Sequence, residues 1–117
     1  MRTIIISLAM LAAVPAPALD LTITLPSTGD VAVDRLTASY DCSGATLDVE
    51  YINAGSVSLA VFEYNAEPVV AANVLSASGA RYAAGHLIWW TKGAQAALYD
   101  LTQGEDASPV LQCAETN

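Results

Sequence analysis

The sequence predicts a small all-β domain, an antiparallel barrel or sandwich of seven or eight short strands. Polar and apolar residues alternate with a period of two along most of the chain, as expected of strands with one face in a core and the other in water. Turn formers such as Ser43-Gly44, Asn53-Ala54-Gly55 and Lys92-Gly93 break the alternation every ~8–12 residues. No segment of helical periodicity runs longer than about ten residues. Closure of the sheet into a barrel would leave no free strand edges.

The first element reads as a leader outside this domain. Met1-Arg2 supplies a positive start, residues 3–14 are mostly apolar, and Ala16-Pro17-Ala18 provides small residues in an A-x-A arrangement. That order is the pattern of a secretory signal peptide, so residues 1–18 are expected to be removed and residues 19–117 to form the mature domain. A spanning helix needs ~20 apolar residues, whereas this run stops at Pro15 and Pro17. No cysteine stands near the cleavage region to carry a lipid anchor. The mature form is therefore expected in the periplasm or medium, without a membrane anchor.

In the mature part, Leu19, Leu21, Ile23 and Leu25 alternate with Asp20, Thr22 and Thr24 until Pro26. Leu36, Ala38, Tyr40 and Cys42 form the next apolar face, and Leu47, Val49 and Tyr51 the one after it. In residues 57–64 the expected core face is Val57, Leu59 and Val61. A further strand spans residues 69–75, and another residues 86–91, where the adjacent Trp89 and Trp90 must point to opposite faces. Residues 94–101 read as a strand, although their alanines also allow a helical turn. A polar loop over residues 103–109 leads to a short last strand, 110–113.

Charge removes one function class at once. Twelve acids face four Lys+Arg, a net charge of −8. Without Arg2 the cations are Arg35, Arg81 and Lys92, and 3 − 12 gives −9. A phosphate backbone is bound through clustered cations, so a nucleic-acid partner is excluded. An even cysteine count in an exported chain reads as a disulfide, here Cys42–Cys113. Two cysteines and the single His86 are too few, at no ligand spacing, for a metal site. No cofactor is implied.

Catalytic patterns are equally sparse. The sequence holds no G-x-S-x-G, H-E-x-x-H, P-loop or dinucleotide fingerprint. His86 lacks partner motifs and reads as a half-exposed strand residue. Asp48 and Glu50 mimic a carboxylate pair but fit a solvated face opposite Leu47, Val49 and Tyr51. Ser78 and Lys92, at turns flanking one hairpin, suggest a Ser/Lys hydrolase. That chemistry requires a buried, neutral lysine, whereas a lysine before Gly93 in an acidic protein favours an exposed ammonium. A small-ligand barrel lined by Trp89 or Trp90 is a further alternative, although eight short strands leave an interior that side chains fill.

Two segments carry a resemblance. Ser78-Gly79-Ala80-Arg81-Tyr82 resembles the motif S-G-x-x-Y, and Thr91-Lys92-Gly93 the end of Y-x-x-x-[TS]-K-G, both of the C-type lysozyme inhibitor family in its membrane-bound and periplasmic forms. Tyr40, Cys42 and Gly44, followed by Val49, Tyr51 and Asn53, also resemble that family. The likeness spans about residues 38–113. It implies an eight-stranded antiparallel barrel that places two motif loops in the active-site cleft of a C-type lysozyme, a basic partner for this acidic chain. The serine and lysine of those motifs would meet the enzyme's catalytic carboxylates, Ser78 as hydrogen-bond donor and Lys92 as cation. Gly79, Arg81, Tyr82, Thr91 and Gly93 would complete the loops or their rim. One departure is evident, since Leu87 stands where the second motif begins with tyrosine, and Trp89 or Trp90 would substitute for that residue's contact.

Overall fold

The computed structural model describes residues 22–24, 26–27 and 29–116. The expected leader, residues 1–18, and its cleavage site lie outside these. Eight strands follow one another: β1 (Val33–Cys42), β2 (Ala45–Ala54), β3 (Val57–Tyr64), β4 (Glu67–Val74), β5 (Ala80–Ala84), β6 (Leu87–Lys92), β7 (Gln95–Asp100) and β8 (Leu111–Thr116). Each pairs antiparallel with the next, and β1 pairs with β8, so the sheet is a closed barrel in sequence order. A single 3₁₀ turn, Leu101–Gln103, starts the long β7–β8 connection, its N-terminal amide at Thr102 bonded to the Asp100 carboxylate at 2.9 Å.

This up-and-down order sends alternate connections to opposite ends. The turns at Gly55-Ser56 and Gly93-Ala94 and the loop of residues 75–79 share one end, which is also where β1 begins. The turns at Ser43-Gly44, Asn65-Ala66 and Gly85-His86, with the β7–β8 connection, share the other. Ser43, Asn65 and Ala66 take positive φ there, as two-residue hairpins require.

The interior is built around Trp89. It is fully buried, with Tyr40 edge-on at 5.2 Å and Phe62 tilted at 5.5 Å between ring centres. Val49 and Leu98 are fully buried as well. Around this aromatic volume the core combines Val69, Tyr82 and Leu87 with the small Ala38, Ala60, Ala71 and Ala96. Three polar tips satisfy one another, Trp89 Nε1–H donating to Tyr51 Oη at 2.9 Å and the Tyr40 and Tyr51 hydroxyls sharing a bond of 2.7 Å. Burial pushes the phenols of Tyr40, Tyr51 and Tyr82 above the usual tyrosine range, Tyr51 furthest.

Cys42 and Cys113 are bonded, and both sulfurs are buried. Cys42 ends β1 as expected, but Cys113 lies within β8, which continues to Thr116 because Ser39, Tyr40 and Asp41 of β1 pair with Thr116, Glu115 and Ala114. The bond thus reinforces the seam where the barrel closes.

Four other expectations need correcting. No strand forms at residues 22–24 of the first alternating run: β1 pairs with β2 along one side and with β8 only over Ser39–Asp41 on the other, and residues 22–24 do not add to the edge that remains; residues 19–21 and 25 lie outside the described set. Residues 80–84, Ala-Arg-Tyr-Ala-Ala, form a strand whose pattern is faint because its inward residues include two alanines. In β3 the buried face is Ala60 and Phe62, with Leu59 and Val61 half-buried on the outer wall, because Phe62 is the residue that reaches Trp89. His86 sits in a turn, exposed, with its carbonyl accepting from Leu101 N–H at 2.8 Å.

Candidate functional site

Two connections meet at the end of the β5–β6 hairpin. The 75–79 loop enters β5, while β6 ends at Lys92 and turns at Gly93, so Ala80 pairs with Thr91 and the two segments lie side by side. Gly79 makes that approach close. It takes φ +67°, and a Cβ there would collide with the Thr91 carbonyl oxygen and lie 2.8 Å from Lys92 Cγ. Only a residue without a side chain allows the loop to rest on the strand. Gly93 needs its positive φ of +58° for the turn alone, with open space beside it.

Hydrogen bonds fix the loop. The Ser78 carbonyl accepts from Ser76 Oγ at 2.5 Å and from Trp90 Nε1–H at 2.9 Å. Thr91 Oγ1 reaches the Ala80 carbonyl at 3.4 Å. Ser78 and Lys92 are both exposed, and among the described residues no hydrogen bond engages the Ser78 hydroxyl. The Lys92 ammonium lies 4.4 Å from the centre of the Trp90 ring, and the Arg81 guanidinium carbon 5.8 Å from it. Among the described residues the one ion pair is Arg35–Glu50, at 2.8 Å on the surface of β1 and β2, so Lys92 keeps its charge uncancelled.

The sequence-predicted residues thus fall into two groups. Ser78, Gly79, Arg81, Thr91, Lys92 and Gly93 gather at this end, Ser78 and Gly79 on the loop, Gly93 in the turn, Arg81 and Lys92 on the outer wall, and Thr91 on the inner side of β6 across from Ala80. Tyr82 does not, for it points inward, buried against Tyr51 at 5.7 Å, and supports β5 from inside. Leu87 is also a core residue, at the opposite end of β6 from Lys92. Five residues of strand separate the two, roughly 16 Å, so a tyrosine at that position would pack the barrel rather than face the loops.

For Trp90 the sequence offered, alongside Trp89, only the place of the missing motif tyrosine, with no tie to Ser78 or Lys92. Trp90 faces outward, half-buried, with the Tyr99 ring 6.4 Å away. The signal was present in the Trp-Trp pair, because alternation sends one ring into the core and must leave the other on the outer wall. Beside it runs a groove of about 340 Å³ bordered by Asp41, Lys92, Gln95, Tyr99, Gln112 and Ala114.

The fold and the site together define a rigid barrel that presents loops rather than a chamber. Comparison with known proteins gives the relationship. The family model described as membrane-bound lysozyme-inhibitor of c-type lysozyme matches residues 40–107. Two relatives named membrane-bound lysozyme inhibitor of C-type lysozyme are similar, one from Cupriavidus necator, 49% identical over 73 residues, and one from Pseudomonas aeruginosa, 43% identical over 89 residues. The first match covers 62% of this chain and 58% of the relative, the second 74% and 70%. Among solved structures, the Pseudomonas aeruginosa inhibitor in complex with hen egg white lysozyme is 39% identical with a TM-score of 0.70, covering 86% of this chain and all of that one. A periplasmic lysozyme inhibitor of C-type lysozyme from Salmonella typhimurium is 26% identical with a TM-score of 0.61, covering 72% of this chain and all of that one. The chain belongs to the family of membrane-bound lysozyme inhibitors of C-type lysozyme.

Proposed function

We propose that this protein is an exported inhibitor of C-type lysozyme that places the Ser78 loop and the Lys92 turn in the enzyme's active-site cleft. The observation that carries the reading is the abutment of those two segments, with Gly79 seated on Thr91 and Lys92, so that a hydroxyl and an ammonium stand together at one end of a rigid barrel. A cleft holding two acidic groups is met by one donor and one cation, whose charge-assisted bonds are short and strong once water is displaced. The relatives' names, and the solved complex of one of them with hen egg white lysozyme, support the same partner.

The relatives' names as inhibitors support a non-enzymatic reading. The Lys92 ammonium lies on the Trp90 ring, and among the described residues no hydrogen bond joins it to the Ser78 hydroxyl, as a Ser/Lys nucleophile would need. The small-ligand reading loses its chamber, because Trp89, Leu98 and Val49 fill the barrel with no exposure. We place the protein in the periplasm as a soluble form. The relatives above are named membrane-bound, whereas both cysteines of this sequence are committed to the disulfide; separation of membrane pellet from periplasmic extract decides between the two.

The direct test is lysis of peptidoglycan by a C-type lysozyme with the purified protein added. The protein should suppress it, Lys92→Ala should weaken binding by about 2–5 kcal/mol, and Ser78→Ala by about 1–3 kcal/mol. Both positions are exposed, so the thermal midpoint should hardly move. Folded variants that inhibit as well as the parent would refute the assignment of these two residues.

A further inference from the structure

We propose that Trp90 is the positioning residue of this site, holding the Ser78 loop through its indole N–H and the Lys92 ammonium through its ring face; the purpose assigned to it rests on the inhibitor reading above. The indole touches both segments. Its Nε1–H donates to the Ser78 carbonyl at 2.9 Å, and its ring centre lies 4.4 Å from Lys92 Nζ. Strand geometry explains the second contact, since Trp90 and Lys92 are two residues apart on β6 and share its outer face. Arg81, directly across the ladder from Trp90, lies 5.8 Å from the same ring, and Tyr99 stands on the β7 side.

The chemistry of the contact matters as much as its geometry. In a chain with twelve acids and four Lys+Arg, a long lysine side chain is readily captured by a neighbouring carboxylate, and Asp41 borders the same groove. An aromatic face attracts an ammonium through its quadrupole and leaves the positive charge intact. A carboxylate would cancel it. Trp90 therefore stores Lys92 as a fully charged group beside Ser78. It also limits the rotamer freedom that the lysine would otherwise lose on binding, which is how preorganisation raises affinity.

Three variants and one measurement on the free protein test this. Trp90→Phe keeps a ring face without the N–H, whereas Trp90→Leu keeps apolar bulk and loses both. In the unmodified protein the Lys92 Hε protons should show an upfield ring-current displacement by NMR, retained in part by Trp90→Phe and abolished by Trp90→Leu. Trp90→Leu should weaken lysozyme inhibition roughly ten- to thirtyfold, with Trp90→Phe recovering part of that loss. In a Lys92→Ala background the cost of Trp90→Leu should shrink to a few-fold, the share left to the Ser78 bond. Full additivity of the two changes would overturn the proposal, as would inhibition unaltered in a folded Trp90→Leu protein. Absence of the ring-current displacement in the unmodified protein would overturn it as well, whether or not any variant folds. If the unmodified protein leaves lysozyme active, the inhibitor reading fails, and the NMR comparison still decides whether Trp90 holds Lys92.

Discussion

Replacement of Gly79 by alanine is the sharpest single perturbation of the site. At φ +67° a residue with a Cβ incurs about 1–2 kcal/mol of backbone strain. The added carbon would also sit inside the contact distance of the Thr91 carbonyl oxygen and 2.8 Å from Lys92 Cγ. The lysine stem can swing aside, but the carbonyl belongs to the β5–β6 ladder and cannot. Relief must come from lifting the 75–79 loop off β6, which breaks the Trp90–Ser78 hydrogen bond and adds about 1 kcal/mol. The sum is about 2–3 kcal/mol, and at ~4–8 °C per kcal/mol for a domain of this size the melting midpoint should drop by about 10–20 °C. Gly85→Ala is the matched control, for Gly85 has φ +56°, open space around it, and a place at the far end of the same hairpin. It should show the backbone strain alone, about half the fall in midpoint. Calorimetry and the lysis assay, run on both variants below their midpoints, separate the effects: Gly79→Ala should lose at least tenfold in inhibition while Gly85→Ala loses none. Equal inhibition by the two folded variants would refute the argument that close approach of the loop to β6 builds the site.

Three other outcomes are expected. The Cys42–Cys113 bond closes a separation of 71 residues, worth about 4 kcal/mol in the chain-entropy description, so reduction should lower denaturant stability by several kcal/mol; a change under 1 kcal/mol would contradict it. The raised phenols of Tyr40, Tyr51 and Tyr82 mean that the unfolded chain loses these protons first as pH rises. Stability should therefore be insensitive to these groups below pH ~10 and fall above it, which unfolding curves from pH 8 to 12 with tyrosinate absorbance will show, and a single titration of all five tyrosines near pH 10 in the folded protein would refute it. Finally, association of this acidic chain, net −8, with a basic lysozyme should slow clearly between low and physiological salt, as screening shortens to ~8 Å; a salt-independent on-rate in stopped-flow would remove steering from the mechanism.

Most of the barrel was legible in the sequence because a period of two survives wherever one face is buried. Residues 57–64 were bounded as observed, and the first and last cysteine-bearing strands were recognised. What failed is instructive. Pattern cannot distinguish which of two apolar faces is inside, and in β3 the decision belonged to Phe62 and its distant partner Trp89. Nor can it tell whether an alternating run finds a partner, so the run before Pro26 looked like a strand although its described residues 22–24 join no sheet. Around the proposed site, the short motifs picked out Ser78, Gly79, Lys92 and Gly93, which the fold brings to one end, together with Tyr82, which alternation places on the inner face with Ala80 and Ala84. The tie of Trp90 to the loop was not legible because it depends on a carbonyl 12 residues away in sequence, a relation only the folded hairpin creates.

The proposed contact residues all fall within one uninterrupted stretch, from the 75–79 loop through β5 and β6 to the turn at Gly93. Recognition is thus modular along the chain. Exchange of residues 75–95 between two members of the family is a transplant with only two splice points, at the end of β4 and the start of β7, and on the proposed reading it should carry preference among lysozymes with it. The stretch is not expected to work as a peptide, because an isolated hairpin is marginal in water. Its conformation is borrowed from the six other strands, which close the barrel around it.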